Sequence, residues 1–370
     1  MLVNAFTGLR IGLIGPLAPP AGGMANQTRQ LAELLRGEGA AVEVVQNNRP
    51  YRPAWVASLP VVRSAFRLMP YLKALWRAAG RCDVFHVMAN SGWAWHLFAA
   101  PAIWVARMRG VPSIVNYRGG EAAAFLARSS AVVRWTMRRA AVLVVPSGFL
   151  QQVFENYAIA AQILPNVVDL GCFKPRADRA TASAHLIVAR HLEALYDNAT
   201  AVRALALVAQ SRPDARLTIA GSGTEEARLR ALVDSLALGE RVRFTGSLDR
   251  SAMAALYAEA DVALNPSQAD NMPNSVLEAM ACGVPVVSTN VGGLPFLVEH
   301  EHTALLVPPR DPRALADATL RVLSDTALQE HMVRAGIQQV QRYTWSQVAP
   351  LLESFYRRAL AASAPAPTGA

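Results

Sequence analysis

The sequence predicts an α/β protein made of two parallel-sheet domains. Three observations carry this. A length of 370 residues suggests two domains, each large enough for its own core. Short apolar runs bounded by Gly, Pro and polar residues alternate with stretches of helical period, the pattern of parallel strands covered by helices on both faces. The second half repeats the plan of the first, with no short-period repeat in it. Hydrophobic residues make up 52% and charged residues 17%, a globular composition, not a disordered one.

The elements follow in order. Residues 10–17 read as a strand that runs into Pro19-Pro20 and Gly22-Gly23. Leu31, Leu34 and Leu35 then share one helical face. Residues 42–46, 83–88, 113–117 and 142–146 are the next strand candidates. Between them, residues 55–81 show a basic amphipathic pattern. Arg63, Arg67, Lys73 and Arg77 fall in one arc of a helical wheel, and Leu68, Met69, Leu72, Leu75 and Trp76 fall opposite. Such a helix can lie on an anionic bilayer, and an ordinary domain helix with a solvated basic side gives the same pattern. Pro60 and Pro70 are expected to break it. The most apolar window, residues 93–105, contains His96 and is closed by Arg107 and Arg109. It is too short to span a bilayer and reads as a buried helix. Residues 165–183 are Pro-, Asp- and Ala-rich and read as a linker. In the second half the strand candidates are 186–189, 216–220, 242–245, 261–265, 285–289 and 304–307. Residues 362–370 are expected to be disordered.

Charge is unevenly placed. The net charge is +9, but residues 1–170 hold 17 Lys+Arg against 7 Asp+Glu, and residues 171–370 hold 19 against 20. A basic first half draws anions: nucleic acid, anionic lipid or a phosphorylated acceptor. No recognised nucleic-acid motif accompanies the charge, so nucleic acid is not expected as a partner. Cys82, Cys172 and Cys282 are odd in number and far apart, with no metal-ligand spacing, which argues against a disulfide framework and for a reducing compartment. The opening ten residues lack a basic n-region, and Arg10 interrupts the apolar run, so a signal peptide is not expected.

The most informative stretch is residues 267–293. It places Asp270 in a turn-like segment, Glu278 eight residues later in a helix-like one, then a strand pattern and a Gly-Gly pair. Carboxylates accept from sugar hydroxyls, and helix N-termini accept phosphates. This segment resembles the E-x7-E signature of the retaining glycosyltransferases of family 4, here Asp270-x7-Glu278, with the first acid one methylene shorter. The resemblance runs from about residue 9 to 358. Residues 15–24, Gly-Pro-Leu-Ala-Pro-Pro-Ala-Gly-Gly-Met, look like the family's Gly-rich loop. Leu-Pro-Asn-Val-Val-Asp (164–169), Val-Ala-Arg (188–190), Ala-Gly-Ser-Gly (220–223) and Phe-Thr-Gly (244–246) fall in the family order.

The resemblance implies a GT-B fold: two Rossmann-like domains facing a cleft. The first would span 1–170 and bind the acceptor. The second would span 171–345 and bind the donor, with a helix over 346–361 crossing back to the first. It also implies site residues. Gly22 and Gly23 would let the backbone approach the donor phosphates. Arg190 would contact the donor diphosphate. A Lys six residues later does the same in the family; here that position is Tyr196, and neither Lys73 nor Lys174 fits it. Ser222 would donate to the diphosphate. Gly246 and Leu248 would line the nucleobase pocket through their backbone. Asp270 would meet a hydroxyl of the transferred sugar and Glu278 the ribose hydroxyls. Asn271, Met272, Asn274 and Ser275 would supply N–H groups to sugar and phosphate. Arg118 stands where the family commonly has a His, and cannot act as a base near neutral pH. It would hold an anionic sugar, an acceptor phosphate or the donor phosphate. Arg118, Arg190, Asp270 and Glu278 are the catalytic candidates. His86 fits a second family position, with a satisfied core histidine as the alternative. Glu121 would orient the acceptor.

Transfer in the family is usually described as front-face, with retention. The departing phosphate oxygen takes the acceptor proton, so no acid–base carboxylate pair is required. The expectation is a metal-independent retaining hexosyltransferase with no cofactor beyond a UDP- or GDP-type nucleotide sugar. Its acceptor would be lipid-linked or a polysaccharide, and its place the cytoplasm or the inner face of the plasma membrane, in cell-envelope polysaccharide synthesis. Two other readings stay open: a catalytically weak nucleotide-sugar-binding protein serving a partner enzyme, and a nucleotide-sugar epimerase.

Overall fold

The structure is a computed structural model that describes residues 6–18, 22–49, 62–175 and 184–362, the side chains of 62–65 excepted. The predicted disordered tail from 363, the predicted break at Pro60 and part of the predicted linker lie outside the described residues. Contacts divide the chain into two compact units, Met1–Pro165 with Val348–Ala370, and Asn166–Gln347.

In the first unit β1 (Arg10–Gly15), β2 (Ala41–Gln46), β3 (Val84–Ala89), β4 (Ser113–Tyr117), β5 (Val142–Val145) and β6 (Gln162–Ile163) form one parallel sheet in the order β2-β1-β3-β4-β5-β6. Every residue of β3 and β4 is buried, as expected of central parallel strands covered on both faces. β6 was not legible in the sequence. It is two residues long, exposed, and sits at the sheet edge, so it carries no apolar run. The apolar window at 93–105 becomes a wide π-type turn (Trp95–Ala99) leading into helix Ala100–Met108, with Trp95, Ala102 and Ile103 fully buried. No helix among the described residues is long and apolar enough to cross a membrane. From Val348 onward the helix Trp345–Ala361 belongs to the first unit, where Tyr356 packs edge-on against Phe6 and His86.

Two expectations need correction. Helix Val62–Ala79 runs through Pro70 without ending there. Pro70 is exposed, so the backbone hydrogen bond that proline cannot make is lost on the solvent side, where water replaces it. The face of this helix that packs into the core is Tyr71, Leu75 and Ala78. Met69 and Trp76, expected on the apolar side, are 56% and 47% exposed.

The second unit holds β7 (His185–Ala189), β8 (Arg216–Ala220), β9 (Val242–Gly246), β10 (Val262–Asn265), β11 (Val286–Thr289) and β12 (Ala304–Val307), all parallel, in the order β12-β11-β10-β7-β8-β9. This is the Rossmann order, and both sheets together make the α/β class of the sequence reading. The unit begins at Asn166, five residues before the predicted boundary. Val168 and Phe173, read as linker, are buried among Tyr257, Leu277 and Met280.

Candidate functional site

In the second sheet the strand order reverses between β7 and β10. Ligands of open parallel sheets bind outside the carboxyl ends of the strands at such a point. Arg190 is the first residue after β7, and Ser267 follows two residues after β10. The two meet: Arg190 Nε and Nη2 donate to Ser267 Oγ at 3.2 and 3.1 Å, and Nη1 donates to Ser275 Oγ at 3.4 Å. Nη2 also donates to Asp270 Oδ2, an ion pair whose side chains are 11% and 13% exposed. The Ser267 hydroxyl spends its own proton on Asn265 Oδ1 at 2.7 Å, which leaves its oxygen to accept from Arg190. Below the guanidinium lies the Tyr196 ring, 4.4 Å from its carbon. Burial lowers the Arg190 pKa without removing its charge.

The segment 270–275 is held from both sides. Asn166 Nδ2 donates to the Met272 carbonyl at 2.7 Å and to Asn274 Oδ1 at 2.6 Å, and Asp270 Oδ1 accepts from the Asn271 N–H at 3.0 Å. On the other side Gly293 N donates to the Asp270 carbonyl at 2.8 Å. A Cβ on Gly292 or Gly293 would stand 2.2 Å from the Asp270 oxygen or 1.7 Å from the Asn271 oxygen. Both obstacles are backbone and cannot swing away. Gly293→Ala is therefore expected to displace this segment and cost about 1–3 kcal/mol. A loss in the urea midpoint of that size checks it; an unchanged midpoint contradicts the packing.

Helix Asn274–Ala281 then opens, and Glu278 sits one turn inside it. The Tyr257 hydroxyl donates to the Ser275 carbonyl at 3.0 Å and lies 3.4 Å from Glu278 Oε2. Burial pushes the Glu278 carboxyl up to about 7, against the opposing pull of Arg250, the Tyr257 hydroxyl and Arg190. Met272 is buried, and its sulfur faces the Asn166 N–H at 3.3 Å. At the ends of β8 and β9, Ser222 Oγ and Ser247 Oγ lie 2.8 Å apart, and the Gly221 N–H donates to the Gly246 carbonyl at 2.9 Å. Leu248 packs half-buried against the core beside them. So Arg190, Tyr196, Asp270, Ser275 and Glu278 form one cluster, while Ser222, Gly246 and Leu248 belong to neighbouring strand ends of the same unit.

In the first unit the order reverses between β1 and β3. Gly22 and Gly23 start the helix Gly23–Gly37, and among the described residues nothing lies within 4 Å of where either side chain would begin. Residues 19–21 of that loop lie outside the described residues. His86 on β3 is a packed core histidine with no exposed surface, not a side chain open to a ligand. Its environment fixes its tautomer. Arg118 Nε donates to Asn116 Oδ1 at 2.7 Å, so the amide nitrogen of Asn116 faces His86 Nε2 at 3.0 Å and donates to it. Nδ1 then carries the proton and donates to the Tyr356 hydroxyl at 2.9 Å. Burial, with Arg118 adding to it, drives the His86 pKa down to about 3, and burial brings that of Arg118 to about 10. Arg118 is the half-buried end of this relay, and Glu121 is exposed just beyond it.

The relay has a consequence for stability. Unfolded, His86 binds a proton near pH 6.5; folded, it stays neutral to about pH 3. Its contribution is complete above pH 6.5 and is lost as pH falls toward 3, by about 1.4 kcal/mol per unit. Urea unfolding at pH 7.5 and 5.0 is expected to differ by about 2 kcal/mol from this group. His86→Gln is expected to flatten that slope; an equal slope in the variant contradicts it. His185, buried in the second unit and also lowered by burial, retains its own share.

The sequence reading missed Ser267, Asn166 and Tyr257. The first two carried a signal: Ser267 opens the informative stretch, and Asn166 lies in the Leu-Pro-Asn motif. Tyr257 carried none; only packing brings it to Glu278.

Fold and cluster together define a two-unit α/β protein with a buried guanidinium and two acids at the switch point of its second sheet. The family of glycosyl transferases group 1 matches residues 184–325, and Glycosyltransferase Family 4 matches residues 21–171. The chain belongs to these family 4 glycosyltransferases. It is 36% identical over 207 residues to a D-inositol 3-phosphate glycosyltransferase of Pseudarthrobacter chlorophenolicus, a match spanning 52% of this chain and about half, 49%, of that relative. It is 29% identical to the phosphatidyl-myo-inositol mannosyltransferase of Mycobacterium leprae over 94% of this chain and 96% of that one. Among solved structures, sucrose-phosphate synthase of Thermosynechococcus elongatus superimposes with a TM-score of 0.78 at 24% identity, covering 96% of this chain and 100% of that one. Anabaena HepE in complex with UDP-glucose does so with a TM-score of 0.70 at 18% identity, covering 93% and 99%. These two carry the GT-B fold and nothing finer.

Proposed function

We propose that the protein is a retaining glycosyltransferase that moves a sugar from a UDP- or GDP-type nucleotide sugar to a lipid-linked or polysaccharide acceptor. The observation that carries this is the convergence of Arg190, Asp270, Ser275 and Glu278 at one strand-end switch point. A fixed planar cation suits a diphosphate. The N-terminus of helix Asn274–Ala281 adds backbone donors and a favourable dipole for phosphate. Glu278 accepts from the ribose hydroxyls and Asp270 from the sugar.

Catalysis on this reading is positioning plus stabilisation of the departing diphosphate. The sugar's anomeric carbon–phosphate oxygen bond breaks, the acceptor oxygen bonds on the same face, and the leaving phosphate takes the acceptor proton. Arg190 stabilises that charge, so turnover is expected to persist in EDTA. In the first unit Arg118 holds an anionic group and Glu121 orients the acceptor. An acceptor at the inner face of a membrane fits the basic first unit, and the M. leprae relative is by its name a mannosyltransferase for a phosphatidylinositol.

A second reading, a nucleotide-sugar-binding protein without turnover, is favoured by Tyr196 and Arg118 at positions where the family carries Lys and His. Thermal-shift screening against UDP-, GDP- and ADP-sugars, followed by transfer and hydrolysis assays, tests both. Stabilisation by one nucleotide sugar with turnover supports the first. Stabilisation without turnover across an acceptor panel supports the second, and no stabilisation removes both.

A further inference from the structure

We propose that the second unit chelates one divalent transition-metal ion between His302 and His331, tying helix Thr326–Val340 to the turn that leads into β12. The site shares no residue with the donor cluster. His302 is exposed in the turn 301–303, and His331 is exposed on the helix. His302 Nδ1 lies 2.9 Å from His331 Nε2, with ring centroids 4.9 Å apart. Two nitrogens each about 2.0–2.1 Å from one ion stand about 2.8–3.4 Å apart, for angles at the ion from right to tetrahedral. The observed separation falls in that range.

A plain N–H···N hydrogen bond gives the same distance, and the surroundings favour an ion. Both backbones are fixed in advance. The Thr303 and Ala304 N–H groups donate to the Glu299 carbonyl at 3.0 and 3.2 Å, and the Glu299 N–H donates to the Thr303 hydroxyl at 2.9 Å. His331 is held by its helix. Closing a chelate between two such anchors therefore costs little ordering. The neutral pair holds one proton between its nitrogens. On binding, that proton moves to the outer nitrogen of its own ring, and both lone pairs turn to the ion, with no net proton released.

The donor set selects the ion. The neighbouring acids are committed elsewhere, Glu301 to Arg321 and Glu330 to Arg334. Among the described residues no group of three or more His, Cys, Asp and Glu is placed to hold a metal, so water completes the shell. Imidazole suits Zn²⁺, Ni²⁺ and Cu²⁺, whereas Mg²⁺ and Ca²⁺ seek oxygen. The ion acts as a clamp on the fold and takes no part in transfer. Helix Thr326–Val340 backs the helix that carries Glu278: a Cβ on its Gly336 would stand 3.4 Å from Met280 Cγ. Near its far end Gln339 Nε2 donates to the Leu297 carbonyl. The two imidazoles give the same helix a second tie, one that depends on metal.

The test is calorimetric titration of the full chain, free of any histidine tag, with Zn²⁺ or Ni²⁺ alone in a non-coordinating buffer. One site is expected. His302→Gln and His331→Gln are each expected to weaken it about tenfold or more, because a chelate loses its second arm. His96→Gln, in the first unit, is expected to leave it unchanged. Saturating metal should raise the Tm of the wild type by about 2 °C or more and that of the two variants not at all. Mg²⁺ should raise neither. Both residues are exposed, so the metal-free variants should keep the wild-type urea midpoint, which separates lost ligation from lost folding. No wild-type site tighter than about 1 mM overturns the proposal. Unchanged affinity in both variants also overturns it, by placing the ion elsewhere.

Discussion

Arg190→Ala is expected to lower transfer about 10²- to 10³-fold in kcat, which corresponds to roughly 3–4 kcal/mol of lost charge stabilisation at the departing diphosphate. Three nitrogens of one guanidinium reach three anchors: Ser267, Ser275 and Asp270. Removing it costs twice. The leaving group loses its fixed cation, and Asp270, 13% exposed in its side chain, is left as a buried anion without its partner. Arg190→Lys is expected to rescue only partly, because an ammonium cannot fork to anchors on two sides. The Tyr196 ring under the guanidinium does part of the holding. Tyr196→Phe is expected to keep activity within about threefold, and Tyr196→Leu to lose about 0.5–1 kcal/mol through the missing stack. Steady-state rates on the nucleotide sugar identified by thermal shift check the series. An Arg190→Ala enzyme within tenfold of wild type would remove Arg190 from the chemistry.

What was legible in the sequence and what was not divides along physical lines. Buried parallel strands announce themselves as apolar runs between breakers, so β3 and β4 stand out, whereas β6, two exposed residues long, gives no pattern to read. Helix Val62–Ala79 shows the limit of a helical wheel. The wheel groups Leu75 with Trp76, but they are adjacent and point 100° apart; one reaches the core and the other solvent. The two acids were legible because they stand eight residues apart in one segment, and Arg190 because its Val-Ala-Arg run resembles the family's motif. Their meeting was not, since Arg190 and Asp270 are 80 residues apart and come together only because β7 and β10 are neighbours. The His86 tautomer was out of reach for the same reason. It depends on Asn116, Arg118 and Tyr356, which come from β4, the residue after it and the last helix.

Glu278→Gln is expected to weaken donor binding and, more tellingly, to remove its dependence on pH. The carboxyl titrates near 7 because burial disfavours its charge more than Arg250, Tyr257 and Arg190 together favour it. Only the ionised form is acceptor-only and able to take protons from two neighbouring hydroxyls. Below about pH 7 the protonated group carries a donor of its own and gives up part of that capacity. Donor affinity in the wild type should therefore fall as pH drops from 8 to 6, with KM rising up to about tenfold per unit once below the pKa. The bound hydroxyls in turn favour the anion, so saturation with donor should pull the apparent pKa downward and leave kcat flatter than kcat/KM. Glu278→Gln is fixed near the protonated form. It should show a raised, pH-independent KM, with a loss of about 1.5–3 kcal/mol expected for hydrogen bonds to a charged group. Glu278→Ala should lose more, since the Tyr257 hydroxyl beside it then faces a gap. Binding titrations at pH 6, 7 and 8 separate this from a structural effect. If the glutamine variant keeps the wild-type pH profile, another group titrates there and Glu278 does not hold the pentose.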